Sequence, residues 1–145
     1  MLAQGIVAAR LDYCLQVTQN VLAMAVCSAP WSTSATELHR SLHWLPVREH
    51  VDYKLALITF KARRTGCPVY IASLLNEYRP TRTLHSFDGL LFTIPFCRLS
   101  LGNQAFSVNA PRVWNILMHD CRAISSIACF KCNLKTELFN VACLV

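Results

Sequence analysis

The sequence predicts a mostly α-helical domain with one short β-hairpin. Three observations carry this expectation. Two stretches, Val47 to Arg64 and Ile127 to Val141, repeat apolar residues at helical spacing and are bounded by Pro, Gly or Ser. One stretch, Gly89 to Leu101, is rich in β-formers. The 145 residues are one domain's worth, and an apolar fraction of 54% is ample for a core.

Residues 1–35 form a poorly patterned segment, in which Leu15 to Cys27 fits a helix ended by Pro30. Residues 36–145 make the helical region. Thr36 is placed as the N-cap of a short helix running through Trp44 and closed by Pro46. Pro46 also suits the first turn of the next helix, where its missing N–H costs nothing, and Gly66 followed by Pro68 suits that helix's exit. At 100° per residue, Val47, Val51, Leu55, Ile58 and Ala62 fall within a sector of roughly 80°, and Tyr53, Ala56, Leu57 and Phe60 fall nearly opposite. Two apolar faces place this helix between two layers, so a buried Leu55 is expected. Lys54 and Lys61 share one gap between the faces. Pro68 to Tyr78 reads as a further short helix. Gly89 to Leu101 reads as two short strands with Pro95 at an edge or turn. Gly102-Asn103 is a turn, and Pro111 is placed at a helix start leading into Arg112-Val113-Trp114. Ser125 or Ser126 caps a last helix with Ile127, Phe130, Leu134, Leu138 and Val141 as its stripe.

Charged residues make up 15% of the chain, against about 25% in an ordinary soluble domain. So low a fraction leaves apolar surface for a partner to cover. The net charge of +6 favours polyanions. The longest uncharged run, Tyr13 to Thr36, holds Gln16, Thr18, Gln19, Asn20 and Pro30 and is too polar for a membrane span. The N-terminus lacks a signal-peptide pattern. The 8 cysteines are scattered through a helical chain, which favours reduced thiols and an intracellular place, nuclear or cytoplasmic.

Cys129-Phe130-Lys131-Cys132 is a CxxC. A structural zinc needs four ligands, and Cys143 lies about 16 Å further along a helix, beyond reach of the same metal. His39 and His43 stand at i, i+4, a metal-capable spacing, with no third ligand beside them. Asp12, Asp52, Asp88 and Asp120 form no paired-carboxylate motif, and there is neither a phosphate-binding glycine loop nor a nucleophile elbow. No catalytic residue, metal or cofactor is assigned, and the chain reads as a non-enzyme.

"RLDYC" (Arg10 to Cys14), "LHWLPV" (Leu42 to Val47), "VDYKLALITFKA" (Val51 to Ala62), "AFSVNAPRVWN" (Ala105 to Asn115) and "FKCNLKTELF" (Phe130 to Phe139) occur in this order. Together these blocks resemble the region after the polymerase core in reverse transcriptases of non-LTR retrotransposons, the chicken-repeat and jockey-like LINE elements. The resemblance covers nearly all of residues 10–139. There are departures. Cys14 runs straight into Leu15 where the family has roughly a score of further residues, which implies an internal deletion. Leu117 is followed by Met118 rather than Pro. Cys129 and Cys132 stand where the family has a Ser and a basic residue. The family's polymerase depends on a Tyr-x-Asp-Asp turn holding two metal ions, and this chain has no adjacent Asp pair.

The resemblance implies the thumb edge and tail of such an enzyme, truncated, non-catalytic and incomplete without its parent polymerase. Its apolar faces would be those that the polymerase covers. Its partner would be the phosphate backbone of RNA or DNA, bound weakly and without sequence preference through Lys54, Lys61, Arg63, Arg64, Arg79, Arg82, Arg98 and Arg112. The alternatives are a host-retained helical module that binds protein through its apolar faces, and a relic without function.

Overall fold

The computed structural model describes residues 2–80, 90–99 and 102–143, and side chains from residue 12 to residue 142 within those ranges. Among these residues the chain forms seven α-helices and one 3₁₀ turn: α1 (Leu2–Cys27), α2 (Ala35–Leu42), α3 (Val47–Thr65), α4 (Val69–Ala72), the 3₁₀ turn (Gly102–Gln104), α5 (Phe106–Ile116), α6 (His119–Ala123) and α7 (Ile127–Cys143). The chain divides into two compact units. The first is Met1–Val51 with Thr136–Val145, and the second is Asp52–Lys135.

In the first unit α1 packs against α2. The α1 helix ends at Cys27, after which Ser28 turns left-handed at φ 49° and the Ala29 N–H returns to the Met24 carbonyl at 3.0 Å. The α2 helix starts at Ala35 with Ser34 as its cap, two residues before the expected cap Thr36. It stops at Leu42 because His43 adopts φ 54°. The Trp44 N–H then closes onto the His39 carbonyl at 2.9 Å, which satisfies one of the carbonyls a helix end leaves over. Gln19 donates from its side chain to the Leu45 carbonyl at 2.8 Å and ties α1 to the segment leaving α2. The interior here is small: Ala23, Leu38, His39 and Leu45. Much of α1 stays apolar and exposed, with Tyr13, Leu15, Leu22 and Val26 all more than half accessible.

The second unit holds the larger core. The α3 helix begins as Pro46 dictates, with the His50 N–H on the Pro46 carbonyl at 2.9 Å, and Gly66 at φ 65° terminates it. A left-handed residue at this point is what glycine accepts without a Cβ penalty. Glu49 in the first turn and Arg63 and Arg64 in the last complement the helix dipole. Neither expected apolar face is buried along its whole length, and the deepest positions come from both. Ala56, Thr59, Phe60 and Ala62 are inside, whereas Leu55 is half-buried and Val51 and Ile58 are exposed. Thr59 is tolerated at 0% exposure because its hydroxyl donates to the Leu55 carbonyl at 2.8 Å.

Phe60 stacks on Phe130 of α7 at 4.2 Å between ring centroids, Phe130 stacks on Trp114 of α5 at 5.9 Å, and Trp114 meets the edge of Phe92 at 5.8 Å. This four-ring series is the centre of the unit, and Phe130, Trp114 and Leu134 are fully buried. The α7 helix starts after Ser126, whose carbonyl receives the Phe130 N–H at 2.9 Å. Of the expected stripe, Phe130 and Leu134 are buried, Leu138 is half-buried, and Ile127 and Val141 are exposed.

The expected β-hairpin is absent from the described part of Gly89 to Leu101; the run of strand-formers there resolves into a single bridge, Glu77 opposite Phe92. Tyr78 donates to the Leu91 carbonyl at 3.0 Å and Thr93 to the Asn76 carbonyl at 2.8 Å. Phe92 therefore pairs with the chain after α4 rather than with its own neighbours. The bridge bonds are made by its neighbours Leu91 and Thr93, and its own N–H and C=O both go to one side chain. Asn115 accepts from the Phe92 N–H at 3.0 Å and donates to the Phe92 carbonyl at 2.8 Å, so an amide stands where a neighbouring strand would be. Pro95, which has no N–H, limits any extension. The expected helix from Pro68 to Tyr78 shortens to one turn for the same reason, because residues 76–78 are taken into the bridge.

Pro111 does not start a helix. It lies inside α5, fully buried, and removes the bond that would reach the Ser107 carbonyl. Packing of Val108, Ala110, Pro111 and Trp114 outweighs that lost bond. A Cβ at Gly102 would run into the Cys97 sulfur, so a larger residue there would have to turn that side chain away.

Replacing Asn115 with Ala leaves both Phe92 backbone groups without this partner and is expected to cost about 1–3 kcal/mol. Phe130→Ala should cost about 3–5 kcal/mol and Leu55→Ala clearly less, as burial dictates. Urea unfolding of the three variants checks the order, and a Leu55→Ala loss equal to that of Phe130→Ala would contradict the packing described.

Candidate nucleic-acid interface

The basic residues singled out from the sequence fall into three groups. Lys54 and Lys61 are exposed on α3, two turns apart, and share one azimuth. Arg79, Arg98 and Arg112 are exposed at scattered positions: after the bridge, in the irregular segment following Pro95, and on α5. Arg82 lies outside the described residues. Arg63 and Arg64 are brought together with a third guanidinium, that of Arg122 on α6, around a cavity of about 250 Å³. Glu77, Leu90, Ala123 and Ile124 complete its wall.

Each wall residue is placed by an element already described. Arg63 and Arg64 project from the last turn of α3, and Gly66 fixes where that turn ends. The Arg63 guanidinium lies 5.9 Å from the Trp114 ring centroid, a cation–π distance that fixes its stem against the core. Trp114 donates its indole N–H to the Leu90 carbonyl at 2.7 Å and so brings Leu90 to the wall. Glu77 is held by the bridge to Phe92. Arg122 is only 8% exposed, far less than is usual for an arginine. Among the described residues, Arg63, Arg64 and Glu77 enter no ion pair.

Arg122 is the residue that sequence reasoning missed. It sits in a five-residue helix between Met118 and Ile124 and belongs to no charge run, so only the fold reveals its position. Arg112, Arg98 and Arg79, which did stand out in the sequence, do not line the cavity.

The two histidines at metal-capable spacing do not share a helical face. His39 is inside α2 and 4% exposed, whereas His43 is its left-handed cap, exposed, with Nδ1 3.1 Å from the Arg40 carbonyl and its ring 5.5 Å from that of Phe139. Cys129 and Cys132 are exposed on α7. Among the described residues no group of three or more His, Cys, Asp or Glu stands where it would hold a metal ion. No described helix is long and apolar enough to cross a membrane. The chain matches no family model, no curated protein and no solved structure.

Burial holds the His39 imidazole below its ordinary value of 6.5, and its Nε2 has no hydrogen-bond partner. The unfolded chain therefore binds a proton near pH 6.5 that the folded chain refuses. The stability tied to His39 is present above that pH and is lost as pH falls below it. Thermal melts between pH 7.5 and 5.5 should show a drop that His39→Phe reduces, and an equal drop in both proteins would refute the assignment.

Proposed function

We propose that this chain is a non-catalytic, helical nucleic-acid-binding domain of the kind that follows the polymerase core in non-LTR retrotransposon reverse transcriptases. The observation that supports it most directly is the basic edge of α3. Lys54 and Lys61 are exposed on one side of a helix whose other side is core, and Arg63 and Arg64 continue the charge into its last turn. A helix anchored by Phe60 and Ala56 presents these cations on a rigid element, as contact with a phosphate backbone requires. The net charge of +6 acts in the same direction. The ordered sequence blocks supply the link to the retrotransposon enzymes. Several of them have structural work here: Trp114 and Asn115 hold Leu90 and Phe92, and Phe130 fills the core.

A second reading has its own observation. The exposed Tyr13, Leu15, Leu22 and Val26 of α1 and the 83% exposed Trp31 are an apolar surface of the kind that binds protein.

The backbone reading is tested by Lys54→Ala combined with Lys61→Ala. Thermal stability should be nearly unchanged, since both side chains are exposed. Affinity for single-stranded RNA or DNA should fall, and the dependence of log K on log salt should flatten by up to ~2 in slope. Titrations at several salt concentrations read both effects, and an unchanged slope would remove α3 from the interface.

A further inference from the structure

The cysteines have no part in the nucleic-acid reading, and their placement is uneven. Cys14 and Cys27 lie on one helix, but thirteen residues of α1 hold them about 20 Å apart. Cys121 is buried. Cys129 and Cys132 differ from these: both are exposed free thiols, and they stand at i and i+3 near the start of α7. Three residues along an α-helix put two Cα atoms about 5 Å apart. That lies inside the range of about 4.4–6.8 Å that a disulfide spans. Their Cβ atoms start about 5–6 Å apart and must close to about 3.5–4.5 Å. Cys129 is the third residue of α7, and the N–H groups of a first turn have no intrahelical acceptor. It can therefore move toward Cys132 at less cost than a residue in mid-helix.

We propose that Cys129 and Cys132 are a reversible dithiol–disulfide site whose oxidation is coupled to the aromatic core. The oxidant is a small-molecule disulfide, of which glutathione disulfide is the probe used below. One protein thiolate attacks it, forms a mixed disulfide and releases one glutathione. The second protein thiolate attacks the protein sulfur of that mixed disulfide and releases the other glutathione. Two electrons pass from the cysteine pair to the glutathione disulfide, and the two thiol protons end on the two glutathiones. The second thiol is held one turn away, so the intramolecular step precedes addition of a second glutathione. The coupling runs through Phe130, which lies between the two cysteines in sequence. Phe130 is fully buried and stacks on Phe60 at 4.2 Å and on Trp114 at 5.9 Å. Closing the Cβ gap tightens the turn that carries this ring. A bridge formed under such strain is also readily reduced, which makes the site reversible.

The test treats the full chain with glutathione disulfide, alkylates the remaining thiols, and digests the denatured protein with trypsin. Lys131 lies between the two cysteines, so cleavage there separates them in the reduced chain. In the bridged chain the two halves stay joined until dithiothreitol is added. The joined peptide should be the main product at this position, from protein that runs as a monomer on a non-reducing gel. The oxidised chain should melt a few degrees below the reduced one. The double variant Cys129→Ser with Cys132→Ser changes two exposed side chains and leaves the core intact. Under the same oxidant it should show no such drop, which separates this pair from the other cysteines. Separate glutathione adducts on Cys129 and Cys132, or two thiols left unmodified, would overturn the site. A joined peptide with an unchanged melting temperature would overturn the coupling to the core. An equal drop in the double variant would overturn that coupling too.

Discussion

A fully buried indole needs a partner for its one N–H, and the second unit is organised around that requirement. Trp114 finds its acceptor in the Leu90 carbonyl, at 2.7 Å. That bond cannot form unless the segment after Leu90 lies along α5. Asn115 then holds it there by pairing both backbone groups of Phe92. Adjacent residues on one helix thus capture a strand-like segment without a sheet. The aromatic series from Phe60 through Phe130 and Trp114 to Phe92 fills the space enclosed. Buried polar groups left unmade are costly, whereas each bond made contributes modestly, so this network specifies one arrangement more than it adds net stability.

The same core positions the cations. Arg63 is seated over the Trp114 ring, Leu90 is drawn to the wall by the indole, and Glu77 is carried in by its bridge to Phe92. A change in the clamp should therefore reach the cavity through its geometry, with no charge altered.

Where local signals were strong, the sequence and the fold agree. Pro46 and Gly66 bound α3, and Ser126 precedes α7, because these residues act through their own φ, ψ and hydrogen bonds. The β-formers of residues 89–101 misled because β-propensity describes a fit to a half-buried surface and does not name the partner; here Phe92 pairs with Glu77 and with a side chain. Pro111 misled because tertiary packing overrides a weak local rule. The first apolar sector of α3 stayed open at Val51 and Ile58, which periodicity alone cannot foresee, since it marks an apolar face but not whether anything covers it. Arg63 and Arg64 were legible as a basic helix end. Arg122 was not, because its role arises from residues distant in the chain.

The central claim is that residues 90–92 belong to the same cooperative unit as the aromatic core. Native-state amide hydrogen exchange under graded denaturant tests it most directly. The Phe92 amide, the Trp114 indole and the amides of Phe130 and Leu134 should open with one common free energy, since the Asn115 pairing admits no separate release of the segment. Exchange at Phe92 and the indole at loop-like rates, while Phe130 and Leu134 stay protected, would contradict the account.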